Sequence, residues 1–211
     1  MEVKRFIFNP FQENTYLIYD DTKEAIIIDC GCSNKNEQQV LIDFVEHYDL
    51  KIVKALNTHL HIDHIAGNAF IKEKFGIAPT AHDGDITIYE KTPEQAAMFG
   101  FPMEQKPPQL GETINEGDII SFGNETLEVL HVPGHSPGSL CFYNKEEKII
   151  FVGDVLFQHS VGRTDLWGGD MNTLIIGIKS KLMTLTDEII VAPGHGDYTT
   201  IGEERRNNPF F

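Results

Sequence analysis

Thr58-His59-Leu60-His61-Ile62-Asp63-His64 places four metal-binding side chains within six positions, directly after the apolar strand-like run Ile52-Val53-Lys54-Ala55-Leu56. Imidazoles at His59 and His61 cannot share a helix face, because residues i and i+2 lie on different sides of it. In an extended segment leaving a strand end they can converge on one ion. Asp63-His64 then opens a helix expected over 63–75 and supplies a second cluster close to the first. Nitrogen and carboxylate ligands without thiolate suit zinc, iron or manganese.

Three further strand-like runs each end in a candidate ligand. Leu127 to Val132 leads into Pro133-Gly134-His135, Lys148 to Val152 into Gly153-Asp154, and Glu188 to Ala192 into Pro193-Gly194-His195. Glycine before each ligand lets the backbone turn sharply and approach an ion with no Cβ in the way. One copy of strand, glycine and ligand reads as an ordinary turn. Three copies, beside the 59–64 cluster, read as one site at the strand ends, where rigid scaffolds hold catalytic groups.

The composition narrows the function classes. At 211 residues, with 41% apolar and 23% charged side chains, the chain reads as one globular domain over 1–211. A formal net charge of −15 argues against a nucleic-acid-binding surface, where a basic patch is expected. No segment approaches the apolar length of a membrane span, and Asn9-Pro10 interrupts the N-terminal apolar stretch too early for a secretory signal. Cys30, Cys32 and Cys141 are an odd count, and a Cys-x-Cys pair is badly spaced for an unstrained mutual disulfide. Reduced thiols in a cytoplasmic protein are the expectation. Nothing in the sequence specifies an oligomeric state.

Hydrophobic periodicity predicts strands at 2–8, 15–19, 25–28, 51–57, 119–122, 126–132, 140–143 and 148–152. Helices are predicted over 34–48, with the stripe Val40, Leu41, Phe44, Val45 and Tyr48, and over 172–183. The stretch 80–116, with Pro93, Pro102 and Pro107-Pro108, reads as short helices and a connecting loop. Two comparable halves of this kind suggest an α/β chain with two sheets face to face and helices outside.

His59-Leu60-His61-Ile62-Asp63-His64, followed by His135, Asp154 and His195, resembles the dinuclear metal signature of the metallo-β-lactamase superfamily. More narrowly, Phe151-Val152-Gly153-Asp154-Val155-Leu156-Phe157, Gly162-Arg163-Thr164-Asp165 and the ending 200–210 resemble the short, single-domain glyoxalase II-like hydrolases. The similarity runs from Phe6 to Phe210. It implies a four-layer αββα sandwich with metals at one edge between the sheets. It implies two divalent ions per chain, zinc, possibly iron, or a mixture. His59, His61 and His135 would hold one, Asp63, His64 and His195 the other, and Asp154 would bridge. Asp63 and Asp154 are then the carboxylates of the catalytic centre.

The implied activity is glyoxalase II-like hydrolysis of S-lactoylglutathione or a related acyl thioester by metal-activated water. A thioester suits a site with no evident general acid, since a thiolate with a parent pKa of about 8.5 leaves without prior protonation. Arg163, nine residues after Asp154, falls where glyoxalase II enzymes carry a basic residue that helps hold glutathione. The resemblance has departures. Sixteen residues follow His195, so the C-terminal helical domain that helps larger relatives hold glutathione is not expected. A family tyrosine two residues after the last metal histidine is replaced by Asp197, with Tyr198 next. The Gly162–Asp165 motif also resembles persulfide dioxygenases, in which a single iron would sit on His59, His135 and Asp154. A non-catalytic metal-binding protein is the third reading. Asp29, at the end of the run 25–28, is either a ligand-orienting carboxylate or a turn residue. His131 is expected to pack in its strand, and Trp167 to line a pocket or anchor the core.

Overall fold

Successive strand side chains point to opposite faces, and both faces are apolar in the strands that matter most. Tyr16 and Ile18 of β2 (Glu13–Tyr19) and Ile26 and Ile28 of β3 (Glu24–Ile28) point one way; Leu17, Ala25 and Ile27 point the other, and all are buried. Such strands need a covering layer on each side. The computed structural model, which describes residues 1–101, 103 and 105–211, supplies both. Pro102, counted above among the prolines of the middle stretch, lies outside the described residues.

The first sheet adds β1 (Glu2–Phe8), β4 (Lys51–Leu56) and β5 (Pro79–Thr80) in the order β1-β2-β3-β4-β5. The first three strands are antiparallel; β3, β4 and β5 are parallel, with helix α1 (Lys35–His47) forming the crossover between β3 and β4. Asn34 caps α1, accepting from the amides of Asn36 and Glu37. Two short helices, α2 (Ile62–Ile65) and α3 (Asn68–Phe75), follow β4. Residues from α1 and α3, among them Leu41, Val45, Phe70 and Ile71, cover the Leu17–Ala25–Ile27 face.

After α4 (Ile86–Glu90) and α5 (Thr92–Phe99) come β6 (Ile119–Phe122), β7 (Glu125–His131), β8 (Leu140–Asn144) and β9 (Ile149–Gly153). A small hairpin, β10 (Leu156–Phe157) and β11 (Ser160–Val161), and helix α6 (Met171–Gly177) precede β12 (Ile190–Pro193), β13 (Thr199–Thr200) and α7 (Ile201–Asn207). The second sheet runs β13-β12-β9-β8-β7-β6, with β9 and β12 parallel. Leu140, Phe142, Ile149 and Phe151 meet Tyr16, Ile18, Ile26 and Ile28 between the sheets. Cys141, Ile150 and Val152 pack outward with Leu174, Ile178 and Leu182. The layers are therefore helix, sheet, sheet, helix, as the resemblance implied. No helix among the described residues is long and apolar enough to cross a membrane.

The structure departs from the sequence reading at three points. The helix expected over 63–75 is two helices. The carbonyls that would accept the next helical amides are taken by side chains: Asn9 Nδ2 donates to Asp63 O at 3.0 Å and Asn57 Nδ2 to His64 O at 3.0 Å. The Gly67 amide turns instead to Cys30 O at 2.7 Å. The helix expected over 172–183 is α helix only to Gly177 and closes in a π-helical turn, Ile178–Leu182. The sequence reading left α7 out, although Thr200-x-x-Glu203 is half of a capping box; Thr200 Oγ1 accepts from the Glu203 amide at 3.1 Å.

The parallel pairs decide where the site forms. β3 and β4 end together, as do β9 and β12, so Asp29, Thr58, Asp154 and Pro193 leave the two sheets on one edge. The sheets are joined at that edge by Asn14 N to Gly194 O and Leu140 N to Thr58 O, both at 2.7 Å.

Candidate metal centre

All seven predicted ligands converge on this edge. His59, His61 and His135 form one group, and Asp63, His64 and His195 a second; in each group the candidate ligand atoms lie within 4.8 Å of one another. His135 Nε2 is 3.2 Å from His59 Nε2 and 2.9 Å from His61 Nδ1. Tetrahedral nitrogen ligands at ordinary zinc distances are about 3.3 Å apart, so this triad is spaced for one small cation. His195 Nε2 is 3.1 Å and His64 Nε2 3.7 Å from Asp63 Oδ2.

Asp154 lies between the groups. Its Oδ2 is 3.8 Å from His135 Nε2 of the first and 3.6 Å from His195 Nε2 of the second, while Oδ1 is 3.5 Å from His64 Nε2. His64 Nε2 and Asp154 Oδ1 are both buried with no hydrogen-bond partner. A buried polar atom left unpaired costs about 1–3 kcal/mol, and a cation between these two would satisfy both. The residues present therefore fit a pair of bound metal ions.

Four of the five candidate ligand histidines have the outer ring nitrogen held, whereas that of His61, Nε2, is buried without a hydrogen-bond partner. His64 Nδ1 is 3.0 Å from Asp29 Oδ2, His135 Nδ1 2.8 Å from Arg163 O, His195 Nδ1 3.1 Å from Phe11 O, and His59 Nδ1 3.0 Å from Thr58 Oγ1. A carbonyl or carboxylate at Nδ1 keeps the proton there and turns the Nε2 lone pair inward. Asp29 thus contacts a candidate ligand histidine directly rather than serving the turn alone. Its oxygens also accept from Thr58 N at 2.7 Å and Thr58 Oγ1 at 2.6 Å, and its backbone sits at φ +52° to reach them. Glycine is required next to the ligands at two points. Gly153, at φ +51°, packs where a Cβ would lie 2.6 Å from Thr58 Cβ; a Cβ on Gly194 would lie 2.6 Å from His64 Cε1.

The electrostatics differ between the groups. Burial, followed by the neighbouring imidazoles, pushes His59 well below the usual histidine range, and burial with His135 takes His61 down to about 3. These rings are neutral and present lone pairs. Burial also opposes charge on His64 and His195, but the carboxylates outweigh it, Asp63 and Asp154 at His64 and chiefly Asp154 at His195, and raise both. Burial works against the charged form of Asp154 as well; the His195 and His64 charges overcome it and hold the carboxyl far below its usual range.

A cavity of about 280 Å³ opens onto the cluster, lined by Phe11, Ile62, Phe99 and Leu166 together with ligands and Arg163. Arg163 lines the cavity, but its guanidinium is paired: Nε and Nη2 donate to Asp165 Oδ1 and Oδ2 at 2.7 and 2.8 Å. That pairing takes Asp165 down to about 2. Trp167 is half-buried outside this lining, with Lys91 Nζ 5.8 Å from its ring centroid; Leu166 faces the cavity instead. Tyr198 packs under Arg5, 5.0 Å from its guanidinium carbon. His131 stacks on His82 with centroids 4.2 Å apart, away from the ligands. Cys30 and Cys32 are buried and free, with sulfurs 3.4 Å apart, and belong to neither ligand group. Phe11, Phe99, Asp85 and Gln95 were not singled out from sequence. No local spacing links them to the ligands.

The sequence profile described as the Metallo-beta-lactamase superfamily matches residues 8–195. The chain is 42% identical to the Hydroxyacylglutathione hydrolase GloC of Haemophilus influenzae, over 100% of this chain and 98% of that protein. Among solved structures, TTHA1623 in a di-iron-bound form is similar with a TM-score of 0.89 and 37% identity, covering 99% of this chain and 100% of that one. The BLEG-1 B3 metallo-beta-lactamase is similar with a TM-score of 0.87 and 37% identity, covering 99% of both chains.

Proposed function

We propose, from the premise that the chain belongs to the metallo-beta-lactamase superfamily and is a metallo-hydrolase, that it cleaves an acyl thioester of the S-lactoylglutathione type at a two-metal centre. The observation that carries this reading is Asp154, placed with oxygens toward both ligand groups. A carboxylate so placed suits two cations a few ångströms apart. The likeness to a hydroxyacylglutathione hydrolase supports the substrate class.

His59, His61 and His135 would hold one ion and Asp63, His64 and His195 the other, with Asp154 shared. When bound, such ions supply Lewis acidity at the substrate carbonyl and make water nucleophilic at neutral pH. The chain's own residues do the rest. Asp29 and the Arg163 and Phe11 carbonyls keep the histidine lone pairs aimed inward. Phe11, Ile62, Phe99 and Leu166 form an apolar wall that excludes bulk water and receives the acyl group. Beyond the proposed ligands, the only titratable group lining the cavity among the described residues is Arg163, which is a poor proton donor. A leaving group that needs no proton, a thiolate, matches that lining better than an amine.

In this reading Asp165 holds the Arg163 fork flat and leaves Nη1 as the donor edge for a substrate carboxylate. Arg163→Ala should raise KM for S-lactoylglutathione about three- to tenfold, the worth of one exposed charge-assisted hydrogen bond, with kcat little changed. Loss of kcat and of thermal stability at unchanged KM would assign the pair to loop structure alone.

The reaction class is tested without oxygen. Purified protein should release thiol from S-lactoylglutathione at the same rate under argon and in air, and a strong chelator should abolish the rate in both. His59 and Asp154 also converge with His135, the set a mononuclear persulfide dioxygenase would use. Persulfide-dependent oxygen consumption without thioester cleavage would establish that second reading and overturn the first.

A further inference from the structure

The first ligand group comes from two loops, 58–61 after β4 and 132–139 after β7, and one buried side chain touches both. Asp85 Oδ2 accepts from Leu60 N at 3.1 Å, between His59 and His61, and from Ser136 Oγ at 2.7 Å, next to His135. Its Oδ1 accepts from Gly138 N at 2.6 Å. Asp85, Leu60 and Ser136 are each fully buried. The approach is close enough that a Cβ on Gly138 would fall 2.8 Å from Asp85 Cγ. Ten residues on, Gln95 Oε1 accepts from Ile62 N at 3.0 Å while Gln95 Nε2 donates to Ile88 O at 2.8 Å, fixing the far side of His61 to the same short helical segment.

A carboxylate accepting from three buried donors is a rigid joint, because charge-assisted hydrogen bonds are about twice as strong as neutral ones. No side-chain hydrogen bond of Asp85 reaches Asp63, His64, Asp154 or His195, or a residue next to one of them in the chain; Gln95, by contrast, holds Ile62 N, between His61 and Asp63. A second buried carboxylate beside the histidines, Asp29, differs: it touches His64 directly and reaches His59 through Thr58.

We propose that Asp85 is a positioning residue for one metal site only: it locks the two loops that carry His59, His61 and His135, and so sets that site's affinity independently of its neighbour. The proposal rests on the assignment of these histidines as ligands. Partners that orient metal ligands typically change affinity by about 10- to 100-fold when removed.

The test is a zinc titration of the metal-free protein against a chromophoric chelator, repeated with cobalt to read the visible spectrum of each site. His59→Ala and His195→Ala assign the binding steps to the two groups. Asp85→Ala and Asp85→Asn should weaken the His59/His61/His135 step about 10- to 100-fold and shift its cobalt spectrum, with the other step within about threefold of wild type. Should Asp85→Ala fail to fold, Ser136→Ala removes one bond to the carboxylate and should give a smaller loss, about threefold or more, confined to the same step. Equal weakening of both steps, or no change in a folded variant, overturns the proposal. Wild-type protein that binds a single ion overturns the two-metal reading instead; the Asp85 comparison is then made on the step that remains, and its invariance still counts against Asp85.

Discussion

Asp154→Ala should leave a folded protein that binds less metal and turns over at least about 10³-fold more slowly. Removing a single oxyanion donor already costs enzymes about 10²–10³ in rate, and Asp154 faces both ligand groups, with its nearest contacts to His64, His135 and His195. The fold should survive because Asp154 makes no neutral hydrogen bond that the change would orphan; its Oδ1 has no hydrogen-bond partner. Without metal the variant should melt below wild type, having lost the carboxylate's attraction to the His195 and His64 charges, and the increment that metal adds to the wild type, a binding linkage, should shrink as well. Metal content by elemental analysis, kcat, and melting curves with and without zinc decide it. Near-normal turnover with two bound ions would sink the bridging assignment.

Asp29→Ala should cause a loss of stability as large as the truncation of a buried core side chain. Asp29 is buried, and its loss would strand the Thr58 amide, the Thr58 hydroxyl and His64 Nδ1 at once. Unsatisfied buried donors cost about 1–3 kcal/mol each, so a total near 3–5 kcal/mol is expected, the size seen when a buried network loses its acceptor. For a chain of this length that lowers Tm by about 10 °C or more. Alanine also has no means of favouring the φ of +52°, a region where Asn and Asp are enriched. Asp29→Asn keeps the backbone and the volume and removes only charge and one acceptor. It should recover most of the stability but little of the metal affinity, because His64 loses its anionic partner. Recovery of both would reduce Asp29 to a backbone role, and recovery of neither would leave charge and shape unresolved into a single cause: the network as a whole.

Legibility in the sequence followed the range of the interaction concerned. The seven candidate ligands stand out in the sequence because metal affinity is a property of side-chain type, and because short spacing after an apolar run already specifies where a strand releases them. Asp29 was half-readable. Its place at a strand end was visible, but its partner His64 lies 35 residues on. The unbroken helix over 63–75 was a misreading, since Asn9 and Asn57 arrive from elsewhere in the fold to take its carbonyls. The helix at Ile201–Asn207 was a miss of a different kind, for its Thr200-x-x-Glu203 signal is local and was available.

By itself, then, the sequence determined the layered α/β class and the set of candidate ligands, because alternation, apolar runs and short spacings act over a few residues and need no partner to be recognised. Tertiary structure alone decided which oxygen of Asp154 faces which ligand group, that Phe11 and Phe99 wall the cavity, and that Asp85 joins the loops of one site. Those facts depend on the parallel pairing that ends β3 with β4 and β9 with β12 on a single edge. Contacts between residues 19 to 184 positions apart come into being only when the two sheets close on each other, and no local pattern encodes their distances.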